Sequence, residues 1–357
     1  MVPGVGPVTY RKLLNHFGTP EHVFSASLPL LQAVPGISAR VAQAIADFAW
    51  TERIDNELQI LSTPDIHLLT WDDAEYPARL KTIFDPPPVL YARGRLEDLQ
   101  DVLIAIVGSR RATTYGRTVA EKLSRELVMK GVGIVSGLAR GIDSAAHNGA
   151  LKGGGKTVAV LGCGIDVIYP PENDRLYAEI CEHGVLISEF PIHSKPERGN
   201  FPARNRIISG LSLGTVVVEA GLQSGALITA DMALEQGRDV FAVPGNITSP
   251  SSRGTNRLLK QGAHVAERAD DILHTLSIEI SQQIASQPNL PFTPTASPPS
   301  LTDDEQCIYD LLSTQPIHID ALTIQAQLPS GNVSAILMML EMKGAIKQLS
   351  GKMFLRA

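Results

Sequence analysis

The sequence predicts an α/β protein with a Rossmann-like, doubly wound, mainly parallel sheet, flanked by an amino-terminal helical domain and a carboxyl-terminal winged-helix domain. Through the middle of the chain, short runs rich in Val and Ile alternate with segments of helix length. This alternation is typical of buried parallel strands joined by right-handed crossovers. The strands are predicted at residues 103–107, 132–135, 158–161, 185–187, 215–218 and 240–243.

The composition is that of an ordinary globular protein with more than one domain. The 357 residues are 44% hydrophobic and 19% charged,. There is no apolar run near the ~20 residues of a membrane span and no signal-peptide pattern at the start, so we expect a cytoplasmic protein without membrane contact. Three cysteines in no CxxC spacing favour neither disulfides nor zinc, and we expect buried thiols at Cys163, Cys181 and Cys307,. We expect no cofactor and no metal.

We divide the chain into a helical domain at 1–62, a Rossmann-like domain at 63–276 with an extended lead-in at 63–100, a flexible linker at 277–300 and a winged-helix domain at 301–357. Three prolines at 86–88 suggest the lead-in, and a stretch rich in Pro, Ser, Thr and Gln suggests the linker,.

The helical domain contains two similar turns, at 2–6 and 34–38, each before a predicted helix at 9–17 and 39–50. An apolar-Pro-Gly-apolar-Gly/Ser turn before a helix is typical of a helix-hairpin-helix, also called SAM-like, whose amides can face a phosphate. The alternative is a small module that packs or binds partners. Because Met1 stands directly on the first turn, we expect the preceding helix to be missing.

The winged-helix domain is predicted from a capping box at 302–305, three helices (306–312, 319–327 and 334–343) and a terminal hairpin around 350–351,. Its candidate recognition helix, at 331–343, carries Met338, Met339 and Met342 rather than arginines or polar side chains that read bases,. This favours protein contact or simple packing over DNA reading, which stays the alternative.

The net charge of −6 argues against a protein that coats nucleic acid along its whole surface, so a DNA site has to be a local basic patch,. Ligands of open α/β sheets bind beyond the carboxyl ends of the strands. The first such turn contains Gly108, Ser109 and Arg110, which offer close backbone approach, a hydroxyl and a bidentate cation, and it leads into a helix,. It predicts an anion site, and a tight turn with a surface arginine is the alternative. GxGxxG is absent, which excludes a dinucleotide fingerprint.

The segment at 197–206 places cations beside an aromatic ring at the start of a helix, the combination that single-stranded nucleic acid requires. The candidate residues there are Arg198, Gly199, Asn200, Phe201, Arg204, Asn205 and Arg206. Two alternatives remain: Phe201 as a buried anchor, and Asn205 and Arg206 as internal hydrogen-bonding residues.

Small and polar residues also follow the other strands, and they add Gly137, Ser224, Gly225 and Asn256 to the candidates. We expect His147 to pack or hydrogen-bond locally within its helix. The glycine run before Lys156 enters a strand instead of leaving one and lacks the first P-loop glycine, so ATP binding is not expected there,.

Together these motifs resemble the DprA/Smf family of DNA-processing proteins. The resemblance rests on Gly108-Ser109-Arg110 and on the segments 136–143, 159–164, 201–206 and 254–256. It implies a protein that binds single-stranded DNA during natural transformation, protects it, forms homodimers through the Rossmann-like domain and helps to load the recombinase RecA. It also implies DNA contacts at Arg110, Arg198 and Phe201 and no catalysis.

Two other functions fit parts of the sequence less well. A nucleotide-processing hydrolase of the Rossmann-like phosphoribohydrolase type would use Glu219 as its acid, but this glutamate precedes its glycine loop and lacks the Gly-Gly-x-Gly-Thr motif. A winged-helix repressor would need a more basic recognition helix.

Overall fold

The computed structural model describes residues 2–49, 51–63, 65–100, 102–276, 302–313, 317–326, 328–343, 345–349 and 352–356. The chain divides into two compact units, Met1–Ser286 and Gln287–Ala357. The predicted linker at 277–300 lies outside the described residues.

The first unit contains a nine-stranded sheet. Its strands are β1 (Ile66–Thr70), β2 (Val89–Gly94), β3 (Leu103–Val107), β4 (Gly133–Ser136), β5 (Thr157–Val160), β6 (Val185–Ser188), β7 (Gly214–Val217), β8 (Asp239–Ala242) and β9 (His264–Val265). They lie in the order β1-β2-β6-β5-β4-β3-β7-β8-β9. All neighbouring pairs from β6 to β9 are parallel, whereas β1 and β2 are antiparallel to each other and β2 is antiparallel to β6. The predicted doubly wound α/β fold is confirmed.

Helices cover both faces of the sheet. Those of the α/β part are α6 (Ala78–Lys81), α7 (Thr114–Met129), α8 (Ile142–Lys152), α9 (Asp174–His183), α10 (Asn200–Leu211), α11 (Gly225–Glu235), α12 (Arg253–Lys260) and α13 (269–276). In β3, Leu103, Ala105 and Val107 join a core with α6, α10, α11 and α12, while Ile104 and Ile106 join one with α7, α8 and α13. This period of two explains why a central strand reads as an unbroken apolar run.

The amino-terminal module consists of α1 (Pro7–Phe17), α2 (Pro20–Ser25), α3 (Leu28–Ala33), α4 (Ala39–Ala46) and α5 (Glu52–Leu61). The first four surround a small core of their own. Gly4 and Gly36, in the two similar turns, have positive φ values of 82° and 78°, which glycine adopts without strain,. Trp71, after β1, attaches the module to the sheet, because the Tyr10 ring lies edge-on at 5.3 Å between centroids.

The second unit has helices α14 (Asp303–Leu311), α15 (Ile319–Ala326) and α16 (Ser330–Met342) and strands β10 (Ile317–His318), β11 (Ile346–Leu349) and β12 (Met353–Arg356). The strands form a sheet in the order β10-β12-β11. The predicted capping box is present, since Thr302 accepts from the Glu305 amide while the Glu305 carboxylate accepts from the Thr302 amide. Met338 and Met339 are exposed on α16.

Three expectations need correction. Residues 65–100 are more than an extended lead-in, because their strands β1 and β2 continue the main sheet and Leu90 and Ala92 are buried in its core. The second helix of the hairpin module ends at Ala46 rather than at 50. Cys163 is buried and Cys181 partly buried, but Cys307 is exposed; its helix packs with α15 and α16 through another face.

Candidate functional site

The largest cavity of the first unit, about 910 Å³, opens where the winding of the sheet reverses. From β3 the chain proceeds through β4, β5 and β6 toward one edge, and α10 then returns it to β7, on the other side of β3. The loops after β3 and β7 therefore diverge onto opposite faces and leave a crevice, the usual ligand position in such sheets. These two loops, the first turns of α10 and α11, and Arg253 line the cavity.

The turn after β3 is held by main-chain bonds. The Ser109 amide donates to the Glu219 carbonyl at 2.7 Å, and the Ser109 carbonyl accepts from the Ile142 amide at 3.2 Å. A methyl group on Gly108 would lie 2.5 Å from the Ile142 side chain and 2.9 Å from the Glu219 carbonyl, so this position requires glycine. The turn thus presents the exposed side chains of Arg110 and Arg111 to the cavity.

Phe201, in the first turn of α10, forms the centre of the site. The Arg110 guanidinium carbon lies 4.6 Å from the ring centroid and that of Arg204 lies 5.9 Å away. The Tyr169 ring is tilted by 41° with its centroid at 5.7 Å. Phe201 is half-buried and, among the described residues, belongs to none of the hydrophobic clusters of the unit. This placement favours a surface ring over the alternative of a buried anchor.

Arg204 lies beneath that ring and is almost wholly buried. Its guanidinium donates to the carbonyl of Gly137 at 2.6 Å and to that of Val160, and its Nε donates to Asn205 Oδ1 at 3.2 Å. A side chain on Gly137 would overlap this guanidinium, which explains the glycine. Burial lowers the pKa of Arg204 to about 10, so the group remains a fixed cation at neutral pH.

Asp143 is the acidic residue of the cavity lining, and it is buried at the start of α8. Its carboxylate accepts from the Ala139 amide at 3.4 Å. Burial raises its pKa to about 6, against the opposing attraction of Arg204, of the Ala139 and Gly137 amides and of Arg110. The floor of the cavity therefore holds a buried cation next to a carboxylate whose charge changes near neutral pH.

The structure brings most, but not all, of the predicted residues to the cavity. Its lining includes Gly108, Ser109, Arg110, Phe201, Arg204, Asn205, Ser224 and Gly225. Gly137 lines a smaller cleft next to it, which shares Arg110 and Phe201. Arg198 and Gly199 are exposed just before α10, outside the lining, and Asn200 donates to the Gly162 carbonyl at 3.1 Å.

Arg206 and Asn256 lie outside the lining, in positions that support the fold. Arg206 is buried and forms ion pairs with Asp85 at 2.9 Å and Glu189 at 2.6 Å, because the next residue but one on a helix points away from Arg204. Asn256 bonds both the amide and the carbonyl of Gly245. For Arg206 the internal role, left open by the sequence, is the one that the contacts favour.

Sequence reasoning missed several residues of the two cavities. Arg111, Leu222 and Arg253 line the main cavity, and Tyr169 and Arg140 line the smaller cleft. Arg140 stands in a glycine-rich segment after a strand, which was a usable signal. The others follow no local pattern, since the fold alone brings their loops together.

Glu219, the acid of the alternative hydrolase, is occupied elsewhere. Its carboxylate accepts from the Thr113 amide at 3.2 Å and from the Thr113 hydroxyl at 2.6 Å, and it is 2% exposed. It therefore fastens the beginning of α7 and does not line the cavity. His147 is fully buried with Nδ1 2.7 Å from the Thr157 hydroxyl, as the local packing role predicts.

The described parts of the chain contain no group of three or more His, Cys, Asp or Glu side chains arranged to hold a metal ion. Among the same residues, no helix is both long and apolar enough to cross a membrane.

Comparisons with known proteins match the whole length of the chain. Family models match at residues 67–277 (DNA recombination-mediator protein A), 292–352 (DprA winged helix domain) and 1–49 (SAM-like helix-hairpin-helix tandem). Protein Smf of Synechocystis sp. is 37% identical over 99% of this chain and 96% of its own length. Protein Smf of Escherichia coli is 39% identical over 88% of this chain and 84% of its own.

Two solved structures share the fold at substantial identity. The X-ray structure of DprA from Streptococcus pneumoniae has a TM-score of 0.67 and 36% identity, and the match covers 76% of this chain and 93% of that one. DNA processing protein A from Helicobacter pylori, described for its single-stranded DNA binding mode, has a TM-score of 0.54 and 33% identity over 59% of this chain and 96% of its own. On this evidence the resemblance seen in the sequence is confirmed, and the chain belongs to the DNA recombination-mediator protein A family, which includes the DprA and Smf proteins.

Proposed function

We propose that the cavity between the loops after β3 and β7 binds single-stranded DNA and that no covalent bond is made or broken there. The observation that carries the proposal is Phe201, a half-exposed ring held against Arg110 at 4.6 Å beside an exposed phosphate-sized turn. Such a ring offers a sequence-tolerant stacking surface, and the arginines neutralise the backbone.

Single strands fit this site better than duplexes do. In a duplex the bases stack on one another and hide their faces, so a ring at the mouth of a cavity reaches a base only when the strand is unpaired. The cavity also spans about 910 Å³, the size class of sites for small ligands, and so admits nucleotide units rather than a double helix,.

The positive charge is local, as the acidic net charge requires. Arg110, Arg111 and Arg253 are exposed at the cavity and Arg204 is fixed beneath it. Ser224, at the start of α11, accepts from the Ala226 amide and so turns the positive end of that helix toward the same space,. The DNA-binding set we propose is that of the sequence, with Arg206 and Asn256 acting through the fold.

The relative from Helicobacter pylori is described as binding single-stranded DNA, and this supports the same ligand here. We further propose that the chain acts in the cytoplasm as a homodimer formed through the α/β unit, that it protects incoming DNA during transformation, and that it passes the strand to RecA. These roles rest on the family and on the sequence resemblance.

A fluorescence anisotropy titration with a labelled oligothymidine and with a matched duplex, each over a salt series, tests the ligand. We expect tighter binding of the single strand, and Arg110→Ala should weaken it by at least ~1.5 kcal/mol, the scale of a lost charge-assisted hydrogen bond. Arg175→Ala is the matched control, because Arg175 is 89% exposed on α9, pairs with Glu179 and lies outside both cavities.

Equal affinity of wild type and Arg110→Ala, with Arg175→Ala also unchanged, would remove the cavity from the DNA site. Release of free base or ribose phosphate from nucleotides by the purified protein would support the hydrolase instead. RecA filament formation on single-stranded DNA, measured with wild type and with Arg110→Ala, tests the proposed transfer: only the wild type should accelerate it.

A further inference from the structure

A narrow cleft continues from the main cavity on the other side of Phe201. It shares Arg110 and Phe201 with the main cavity and adds Tyr169 and Arg140 at its far end. The Tyr169 and Phe201 rings lie next to each other, 5.7 Å between centroids. We name this space the extension cleft. It makes a continuous polar and aromatic surface from the turn after β3 to Arg140.

Arg140 stands at the end of the extension cleft in the loop between β4 and α8, and its guanidinium forms a bidentate pair with Glu172. Nη2 lies 3.0 Å from Oε2, and Nε donates to Oε1. Glu172 belongs to the short turn Pro171–Asn173, directly after Tyr169 and Pro170. The buried Asn173 fixes this turn, because its amide donates to the Leu138 carbonyl at 2.9 Å.

The position of the pair suggests a role in binding more than in stability. The Arg140 and Glu172 side chains are 55% and 50% exposed, and ion pairs at that exposure stabilise a fold little,. A phosphate presents the same bidentate geometry as a carboxylate, and Arg pairs with either. A strand leaving Phe201 toward Tyr169 would carry its next phosphates to this guanidinium.

We propose that bound single-stranded DNA continues from the main cavity over Phe201 and Tyr169 to Arg140, and that Glu172 occupies Arg140 until a phosphate of the strand displaces it. This rests on the proposed function of the main cavity. Glu172 then acts as a competitor for the DNA: it holds Arg140 in place in the free protein and lowers the affinity for the strand.

The proposal predicts a gain of affinity on removal of an acid. Glu172→Gln should tighten oligothymidine binding by about two- to fivefold, the range for an exposed ion pair. It should also steepen the slope of log affinity against log salt by about 0.7, the value for one more phosphate contact on a single strand. Arg140→Gln should weaken binding by a similar factor, and in the Arg140→Gln background Glu172→Gln should bring no gain.

Glu179→Gln is the matched control, because it removes the same charge from an exposed pair, with Arg175 at 2.9 Å, on the neighbouring α9. It should leave the salt slope unchanged. Equal effects of Glu172→Gln and Glu179→Gln, or a gain that persists without Arg140, would overturn the proposal. If Arg110→Ala still weakens binding in that case, only the extension cleft is excluded; if Arg110→Ala is also silent, the proposed function itself fails.

Discussion

Substitution of Phe201 by alanine separates stacking from plain electrostatics. The ring lies between Arg110, at 4.6 Å, and Tyr169, at 5.7 Å, and is half-exposed to the cavity. Loss of one stacked base costs ~1 to 3 kcal/mol, which corresponds to about 5- to 150-fold weaker binding. Loss of the cation–π contact that orients Arg110 adds ~0.5 to 1 kcal/mol at an exposed site. We expect a total near the middle of that range.

Salt dependence distinguishes the ring from its charged neighbours. Phe201→Ala removes no charge, so the affinity for single-stranded DNA should fall at every salt concentration with the slope of log affinity against log salt kept. Arg198→Ala, just before α10, should flatten that slope by about 0.7. Because duplex bases are stacked already, Phe201→Ala should also reduce the preference for single strands over duplex.

Thermal unfolding decides whether the ring serves binding or the core. A fully buried Phe→Ala change costs ~3 to 5 kcal/mol, and Phe241, which is 0% exposed beneath the sheet, provides that reference. For Phe201→Ala we expect a loss of ~1 kcal/mol or less, or about 2 to 4 °C in Tm. Phe201→Tyr should restore binding because it keeps the aromatic face. A drop in Tm as large as that of Phe241→Ala, or unchanged DNA affinity, would refute the stacking role.

Three further predictions follow from other contacts. Glu219→Gln should lower stability by ~1 to 3 kcal/mol, since it disturbs the bonds from the buried Thr113 amide and hydroxyl,; a combined Glu219→Gln and Thr113→Val variant should be no less stable than the sum, and loss of an enzymatic activity without loss of Tm would contradict the structural role. The pKa of Asp143, raised to about 6 by burial, implies that DNA affinity rises as pH falls from 7 to 5, because the proton removes a negative charge beside Arg204 and Arg110. The folded state takes up that proton first, since free aspartate has a pKa of about 3.9, so this group's contribution to stability falls as pH rises from about 4 to 6; Asp143→Asn should lack both effects, and an identical pH profile of wild type and variant would disprove the assignment. Removal of residues 301–357 should leave DNA affinity within about twofold and the Tm of the first unit unchanged, as expected for units with separate cores, and loss of all binding would move the site to the winged helix.

The order of strands and helices could be predicted from the sequence because it depends on local patterns. Six central strands appear as short apolar runs, and each lies within two residues of its predicted position, since residues buried on both faces leave no polar interruption,. The capping box at Thr302 and Glu305 is equally local. The strands β1 and β2 were missed because they lie near one edge of the sheet and their segment contains a run of prolines.

The candidate site was found by the rule that ligands bind at the carboxyl ends of parallel strands, which holds whatever the details of the loops. That rule, with the local motifs, placed Gly108, Arg110 and Phe201 at one site. It could not tell which arginine of α10 faces which way: Arg204 turns inward beneath Phe201, whereas Arg206, two residues later, pairs with Asp85 and Glu189.

What the sequence alone determined is therefore the fold class, the domain layout and the strand ends that carry function, because each depends on residues close together in the chain. Only the tertiary structure decided which side chains are free to meet a ligand. Arg140 and Glu172 are 32 residues apart, and Thr113 and Glu219 are 106 apart. The charge that a ligand meets is the charge left after such long-range pairs have formed, and pairing over that distance is set by the packing of the sheet and its helices.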